Sequence, residues 1–145
     1  MMDVWISIIL SVCAASTPLL IAATGELVVE RSGVLNLGVE GMMIMGAVAA
    51  FATAQVTGNP YLGALVAIIT GAAFSLLFAF LTLTLVANQV ATGLALTILG
   101  LGLSGMIGEG FVGQPGVRMD AIDIPVLTDL PVIGKLFFGQ DLIFY

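Results

Sequence analysis

Ionisable residues are almost absent from the middle of this 145-residue chain. From Gly41 to Gly108 there are 68 consecutive residues without Asp, Glu, Lys, Arg or His. A water-soluble domain needs charged side chains on its exposed faces, whereas one charge at the centre of a membrane helix costs about 2.5–3.5 kcal/mol. The missing charges therefore predict an integral membrane protein.

Other scarce residue types exclude several kinds of site. The chain has no His and one Cys, so it lacks the commonest metal ligand and cannot form an internal disulfide or a Cys-based metal cluster. The net charge of −6 argues against nucleic acid as a partner. The spans contain no paired Asp and no Ser/Lys pair, so we expect no metal site and no enzymatic activity.

Apolar residues are correspondingly abundant. Hydrophobic residues make up 60% of the chain, charged residues 8%, and the mean hydropathy is +1.22. Ordinary globular domains carry roughly 25% charged residues. The apolar stretches are continuous, whereas a membrane β-barrel alternates apolar and polar residues in short segments. The sequence therefore predicts an all-α fold, a polytopic transmembrane helix bundle.

Hydropathy divides the chain into about four spans and the start of a fifth, because a span needs about 20 mainly apolar residues. We predict one transmembrane domain over residues 1–145, with aqueous connections at residues 25–33 and in a long extramembrane loop at 110–140. An apolar run starts again at Asp141 and stops at Tyr145, so we expect a truncated sequence. The predicted spans are residues 4–24, 34–56, 62–87 and 90–107.

The start of the second span is ambiguous. The stretch Gly41–Val56 has only 16 residues, which reach roughly 24 Å and fall short of the ~30 Å hydrocarbon core. A start at Val34 gives a comfortable span but draws Asn36 and Glu40 towards the membrane. Either the helix is short or broken, or Glu40 lies at its polar edge and faces protein or water. A Glu40 that faces lipid is excluded by its cost.

Small residues recur at helical spacing in the second and third spans. Each set predicts a flat stripe where another helix approaches closely, which indicates packing rather than a substrate path. We expect the hydroxyl of Ser75, in the third span, to bond to its own helix. The two sets are Gly46, Ala50 and Ala54, and Gly63, Ala67 and Gly71.

Three ordered stretches resemble one family of transport proteins. Residues 30–51 read ERSGVLNLGVEGMMIMGAVAAF, residues 88–94 read NQVATGL, and residues 124–134 read IPVLTDLPVIG. Together they resemble the permease subunits of bacterial ABC importers in the branched-chain amino acid and ribose permease superfamily. The likeness is strongest to the branch that serves nucleosides and simple sugars, and it covers nearly the whole chain.

The resemblance implies a multi-pass protein of the bacterial plasma (inner) membrane with an external N-terminus. Its implied partners are an ABC ATPase subunit, a second permease subunit and an extracytoplasmic substrate-binding protein, besides the lipid bilayer. ATP would be used at the ATPase, and this chain would bind no cofactor. Such permeases also carry a cytoplasmic coupling loop that nothing here matches, so we expect the N-terminal half only.

Polar residues near membrane depth are the default candidates for a substrate path. Asn36 and Glu40 precede the second span, and Asn88 and Gln89 precede the fourth. Their amides match the donors and acceptors of a nucleobase or a sugar. In a second interpretation these residues cap helices and satisfy freed backbone groups, with Glu40 stabilised by the helix dipole.

Two other functional classes remain open at this point. The chain could be half of a secondary transporter or channel for a small polar solute. Such proteins usually need intramembrane ionisable residues, and Glu40 alone keeps this alternative open. A membrane scaffold without transport activity is the third class, and the polar motifs at Asn36 and Asn88 argue against it.

Overall fold

The computed structural model describes residues 2–117, and in this part of the chain the regular structure is entirely helical. Four helices are long and apolar enough to cross a membrane, which confirms the predicted all-α membrane fold. The fifth span and most of the predicted 110–140 loop lie outside the described residues. The helices are α1 (Met2–Arg31), α2 (Val39–Thr57), α3 (Pro60–Ala79) with a π-helical turn (Phe80–Thr84), and α4 (Gln89–Gly108) with a 3-10 turn (Glu109–Phe111).

The described residues fall into two units, and residues 2–23 of α1 belong to the first. Apolar side chains such as Trp5 are exposed there, as lipid-facing residues would be. Pro18 lies inside the helix, and the hydroxyls of Ser16 and Thr17 donate to the carbonyl of Cys13 at 3.0 and 2.9 Å. This carbonyl is one residue before the one that Pro18 leaves without an N–H partner.

The second unit includes residues 24–117, and it begins with the last turns of α1. The aqueous loop predicted from residue 25 is wrong at its start, because α1 continues to Arg31. Glu and Arg are good helix formers, so the charges mark the helix end rather than a break. The turn comes at Gly33, whose φ of +84° terminates the helix while its N–H donates to the carbonyl of Glu30 at 2.9 Å.

Helix α2 begins at Val39, five residues later than the predicted span at Val34. The side chain of Asn36 forms a local turn by accepting from the N–H of Gly38 at 2.9 Å, which offers the backbone an alternative to helix. The 19 residues of α2 rise roughly 28 Å, close to the hydrocarbon thickness. The helix thus begins later than predicted, with Glu40 exposed in its first turn, as expected of a residue at the polar edge of the span.

A tight turn connects α2 to α3. Gly58 has a φ of +68° and ends α2, and Pro60 occupies the first turn of α3. The Asn59 side chain caps α3 by accepting from the N–H groups of Tyr61 and Leu62, at 2.9 and 3.4 Å. Helices α2 and α3 are therefore neighbours joined by a minimal connection.

Small residues form the seam between α2 and α3, as their spacing predicts. A methyl group on Gly63 would lie 2.6 Å from the carbonyl oxygen of Ala50 and 3.3 Å from the Cβ of Ala54. Gly46 faces Ala67 across the same seam. Gly71 has nothing within 4 Å of its missing Cβ, so it lies outside the contact.

A second seam, between α2 and α4, is equally close and was not predicted. A Cβ on Gly41 would lie 2.6 Å from the Cα of Thr97 and 2.7 Å from the carbonyl oxygen of Leu96. A Cβ on Gly100 would lie 2.6 Å from the carbonyl oxygen of Gly41. The backbones of the two helices therefore touch, as small residues permit in membrane bundles.

Candidate translocation site

The non-helical connection between α1 and α2 lies beside the start of α4. Its backbone groups are satisfied by side chains from helices on both sides of it. The N–H of Leu35 donates to Oε1 of Gln89 at 2.8 Å, and the hydroxyl of Thr97 donates to the carbonyl of Leu37 at 3.0 Å. These bonds fix the connection against α4, where Gly93 lets the backbone approach.

Asn36 is the buried centre of this connection, with 5% of its surface exposed. Its Oδ1 accepts from the N–H of Gly38, while its Nδ2 has only the Sδ of Met42, at 3.7 Å. A thioether sulfur is a weak acceptor, and an amide nitrogen carries two N–H groups. The donor side of this buried amide is therefore poorly satisfied within the described residues.

Glu26 is a site residue that the sequence reading placed in a solvated loop. It lies in the last turns of α1, half-buried, and its Oε1 accepts from the backbone N–H of Asn36 at 3.2 Å. Its Oε2 is buried and has no hydrogen-bond partner in residues 2–117. The position of Glu26 ten residues before Asn36 carries no local signal for this contact, because the turn at Gly33 brings the two together.

Asn88 and Gln89 also use their side-chain oxygens on the backbone. Oδ1 of Asn88 caps α4 by accepting from the N–H of Ala91 at 3.0 Å, and Gln89 holds Leu35 as described. Neither amide nitrogen has a hydrogen bond within the described part of the chain. The capping contacts of the second interpretation are thus present, and the two nitrogens stay available as donors.

Glu40 is exposed in the first turn of α2 and forms no hydrogen bond or ion pair within residues 2–117. It is not brought into contact with the other three predicted residues by any of these bonds. Its position fits the favourable interaction of a carboxylate with a helix N-terminus. Its part in a substrate path stays a prediction.

Two cavities border these amides. The larger, of about 460 Å³, lies between the end of α3 and the start of α4. Asn88 and Thr92 are its polar lining residues, and the rest of its wall is apolar. The smaller, of about 170 Å³, includes Asn36 in its lining. No group of three His, Cys, Asp or Glu able to hold a metal occurs among the described residues.

The fold and the site define a multi-pass membrane protein with a polar, irregular connection held between its spans. The chain belongs to the family described as branched-chain amino acid transport system / permease component, which matches residues 8–125. The predicted superfamily is therefore confirmed. No solved structure matches the chain.

Several curated relatives are transport permeases. The chain is 45% identical over 128 residues to a putative glucose ABC transporter permease protein of Haloferax volcanii. It is 36% identical over 138 residues to a guanosine ABC transporter permease protein of Bacillus subtilis, and 33% identical over 135 residues to a nucleoside ABC transporter permease protein of Lactococcus lactis. Each match covers 86% of this chain and 39–43% of the relative.

Proposed function

We propose that this chain forms part of the permease subunit of an ATP-driven ABC importer and contributes to the path of a nucleoside or a simple sugar. The family membership and the names of the relatives support the class of transporter. The chain spans less than half the length of those relatives. The permease itself performs no covalent chemistry.

The observation that carries the proposal is the irregular connection over residues 34–38. The connection joins the ends of two helices that are each long and apolar enough to cross a membrane, and it borders the smaller cavity at Asn36. Here Gln89 and Thr97 of α4 and Glu26 of α1 satisfy it. In other transporters, irregular backbone beside helix ends contributes to substrate and ion sites.

The larger cavity supplies the second support. Its volume of about 460 Å³ falls within the ~300–1,000 Å³ of small-molecule sites. The free amide nitrogen of Asn88 and the hydroxyl of Thr92 offer neutral polar groups on an apolar wall. Such a lining suits an uncharged polar solute. Gln89 and Glu40 stay candidate path residues near the starts of α4 and α2.

The proposed mechanism assigns the energy source to partner proteins. A substrate-binding protein would deliver the solute outside, and two permease subunits would enclose the path. Two ATPase subunits would shift the population between outward-open and inward-open states, because ATP binds them and not the permease. The orientation implied by the resemblance places residues 26–33 on the cytoplasmic side.

Uptake by reconstituted vesicles tests the class of transporter. The full-length permease is combined with its ATPase and binding protein, and uptake of radiolabelled guanosine and glucose is measured with internal or external ATP. We expect uptake that needs ATP, persists when ionophores collapse proton and sodium gradients, and stops with a hydrolysis-deficient ATPase. Uptake that follows an ion gradient without ATP would instead establish the secondary transporter.

A pair of isosteric variants tests the site. Asn88→Asp keeps the oxygen that caps α4 but removes the amide donor, so we expect KM to rise about two- to twelvefold, the worth of one hydrogen bond. Asn59→Asp makes the same change at the cap of α3, outside the larger cavity, and should leave KM unchanged. Equal effects of the two variants would remove Asn88 from the path.

A further inference from the structure

The smaller cavity lies between the end of α1, the connection to α2 and the C-terminal part of α3. Its volume is about 170 Å³. None of its lining residues is charged, and four of them carry hydroxyl or amide groups. The lining residues are Val29, Ser32, Val34, Asn36, Ser75, Phe78, Ala79, Thr82 and Leu83.

Ser75 is the first indication that this cavity holds a ligand. Its hydroxyl forms no hydrogen bond within the described residues, so the expected bond to its own helix is wrong. Other hydroxyls of the same span do form that bond: Thr70 donates to Val66 at 2.8 Å, and Thr82 donates to Phe78 at 2.8 Å. Ser75 is exposed within the described residues, so its hydroxyl is free to meet a ligand at the open side of this cavity.

Asn36 is the second, independent indication. Only 5% of its surface is exposed, and the one partner of its amide nitrogen is the Sδ of Met42 at 3.7 Å. An amide nitrogen carries two N–H groups, and one of them is enough for that sulfur, so Asn36 has a spare donor and is also one of the residues that line the cavity. The hydroxyls of Ser32 and Thr82 donate their protons to backbone carbonyls, so their oxygens can still accept.

The lining thus offers two donors, Asn36 and Ser75, and two acceptors, Ser32 and Thr82, on an apolar wall. Each hydroxyl of a sugar ring can both donate and accept, and its C–H face suits an apolar surface such as Phe78. The volume of 170 Å³ corresponds to about six water molecules and is below the ~300 Å³ of drug-sized sites. It matches one sugar ring better than a complete nucleoside.

We propose that this cavity is a subsite for the sugar ring that nucleosides and simple sugars have in common. The inference rests on the proposed function, since it names the part of the substrate that one section of the path recognises. The larger cavity beside Asn88 would then bind another part of the substrate, or would bind the substrate at a different stage of transport. The uncharged lining predicts neutral sugars and excludes phosphorylated ones.

Thiol protection tests the subsite without requiring transport. Ser75→Cys is made in the full-length permease after Cys13→Ala removes the native thiol, and labelling by a small maleimide is followed. We expect ribose, glucose and guanosine to slow the labelling at least threefold, and free guanine to have no effect. Ser104→Cys is the matched control, because its hydroxyl bonds to Leu101 and it does not line the cavity.

Uptake competition supplies the second measurement. In the reconstituted importer, Ser75→Ala should raise KM for guanosine about three- to tenfold, the worth of one neutral hydrogen bond. A deoxy analogue of guanosine that lacks the hydroxyl bound by Ser75 should have a lower affinity than guanosine in the wild type. In this variant the difference between the two compounds should be smaller, because that hydroxyl has already lost its partner. Ser104→Ala should show no such coupling.

The outcomes separate the two proposals. If labelling of Ser75→Cys is unaffected by every sugar, or is slowed equally by free guanine, the subsite is refuted even when ATP-driven uptake is intact. Protection by sugars in a permease that shows no ATP-driven uptake would preserve the subsite and refute the ABC mechanism. The binding protein is the same in all assays, so its own selectivity cancels in the comparison of variants.

Discussion

A methyl group at Gly100 should force α2 and α4 apart. Its Cβ would lie 2.6 Å from the carbonyl oxygen and 2.8 Å from the Cα of Gly41. Both contacts are backbone atoms, which cannot rotate away as a flexible side chain would. Gly102 lies in the same helix and has nothing within 4 Å of its missing Cβ, so it provides a matched control.

Two opposing contributions set the expected change in the free energy of unfolding. Overpacking in a close contact costs about 1–3 kcal/mol, whereas replacing Gly by Ala inside a helix gains about 0.5–1 kcal/mol. Gly102→Ala should therefore raise the free energy of unfolding by about 0.5–1 kcal/mol. Gly100→Ala receives the same gain from helix propensity, so the difference between the two variants, about 1–3 kcal/mol, isolates the clash.

Thermal unfolding of the full-length permease in detergent measures this difference. At about 2–4 °C per kcal/mol, Gly100→Ala should unfold several degrees below Gly102→Ala. The midpoint should be compared at one protein concentration and one detergent concentration. If Gly100→Ala is as stable as Gly102→Ala, the two helices are not in backbone contact and the seam described here is wrong.

Three further predictions follow from single contacts. Gln89→Ala should destabilise the full-length permease by about 0.5–1.5 kcal/mol, because it removes the hydrogen bond to the exposed N–H of Leu35, while Gln89→Glu keeps the acceptor and should restore the unfolding midpoint. Val86 has a φ of +53°, which is unfavourable for a residue with a side chain, so Val86→Gly should stabilise the permease by about 0.5–1 kcal/mol in denaturant unfolding. Leu85, at a φ of −89°, is the control, and Leu85→Gly should destabilise the permease. Glu40→Gln removes the charge of a candidate path residue, so the KM of ATP-driven uptake in vesicles should rise about two- to twelvefold, the worth of one hydrogen bond, while the need for ATP is kept; loss of an uptake that follows an ion gradient would favour the secondary transporter.

Hydropathy and turn chemistry predicted most of the helical architecture. Spans are long and their interiors are uncharged, so each of the four helices contains most of its predicted range. The turn before α3 follows from the local preference of Gly58 for a positive φ and of Asn59 for a helix cap. The stripe of Gly46, Ala50 and Ala54 also predicted a seam from local sequence, because residues four positions apart lie on the same face of a helix.

Contacts between distant segments were not predictable in this way. Glu26 reaches Asn36 only because α1 continues past its charged residues and then turns at Gly33. Gly41 and Gly100 touch although 59 positions separate them, and no single-helix pattern pairs one glycine with the other. The amides of the site were recognised as polar residues near the membrane, but which of their atoms the backbone uses depends on these tertiary contacts.

The π-helical turn Phe80–Thr84 has a consequence for the chain's tolerance of length changes. A π turn accommodates one more residue than the α-helical turn it replaces, so α3 carries a surplus residue near its end. Removing one residue there would convert the turn to ordinary helix and rotate everything beyond it by about 100° relative to the preceding face. The direction in which the chain leaves α3 towards the cap at Asn88 therefore depends on one residue of this turn.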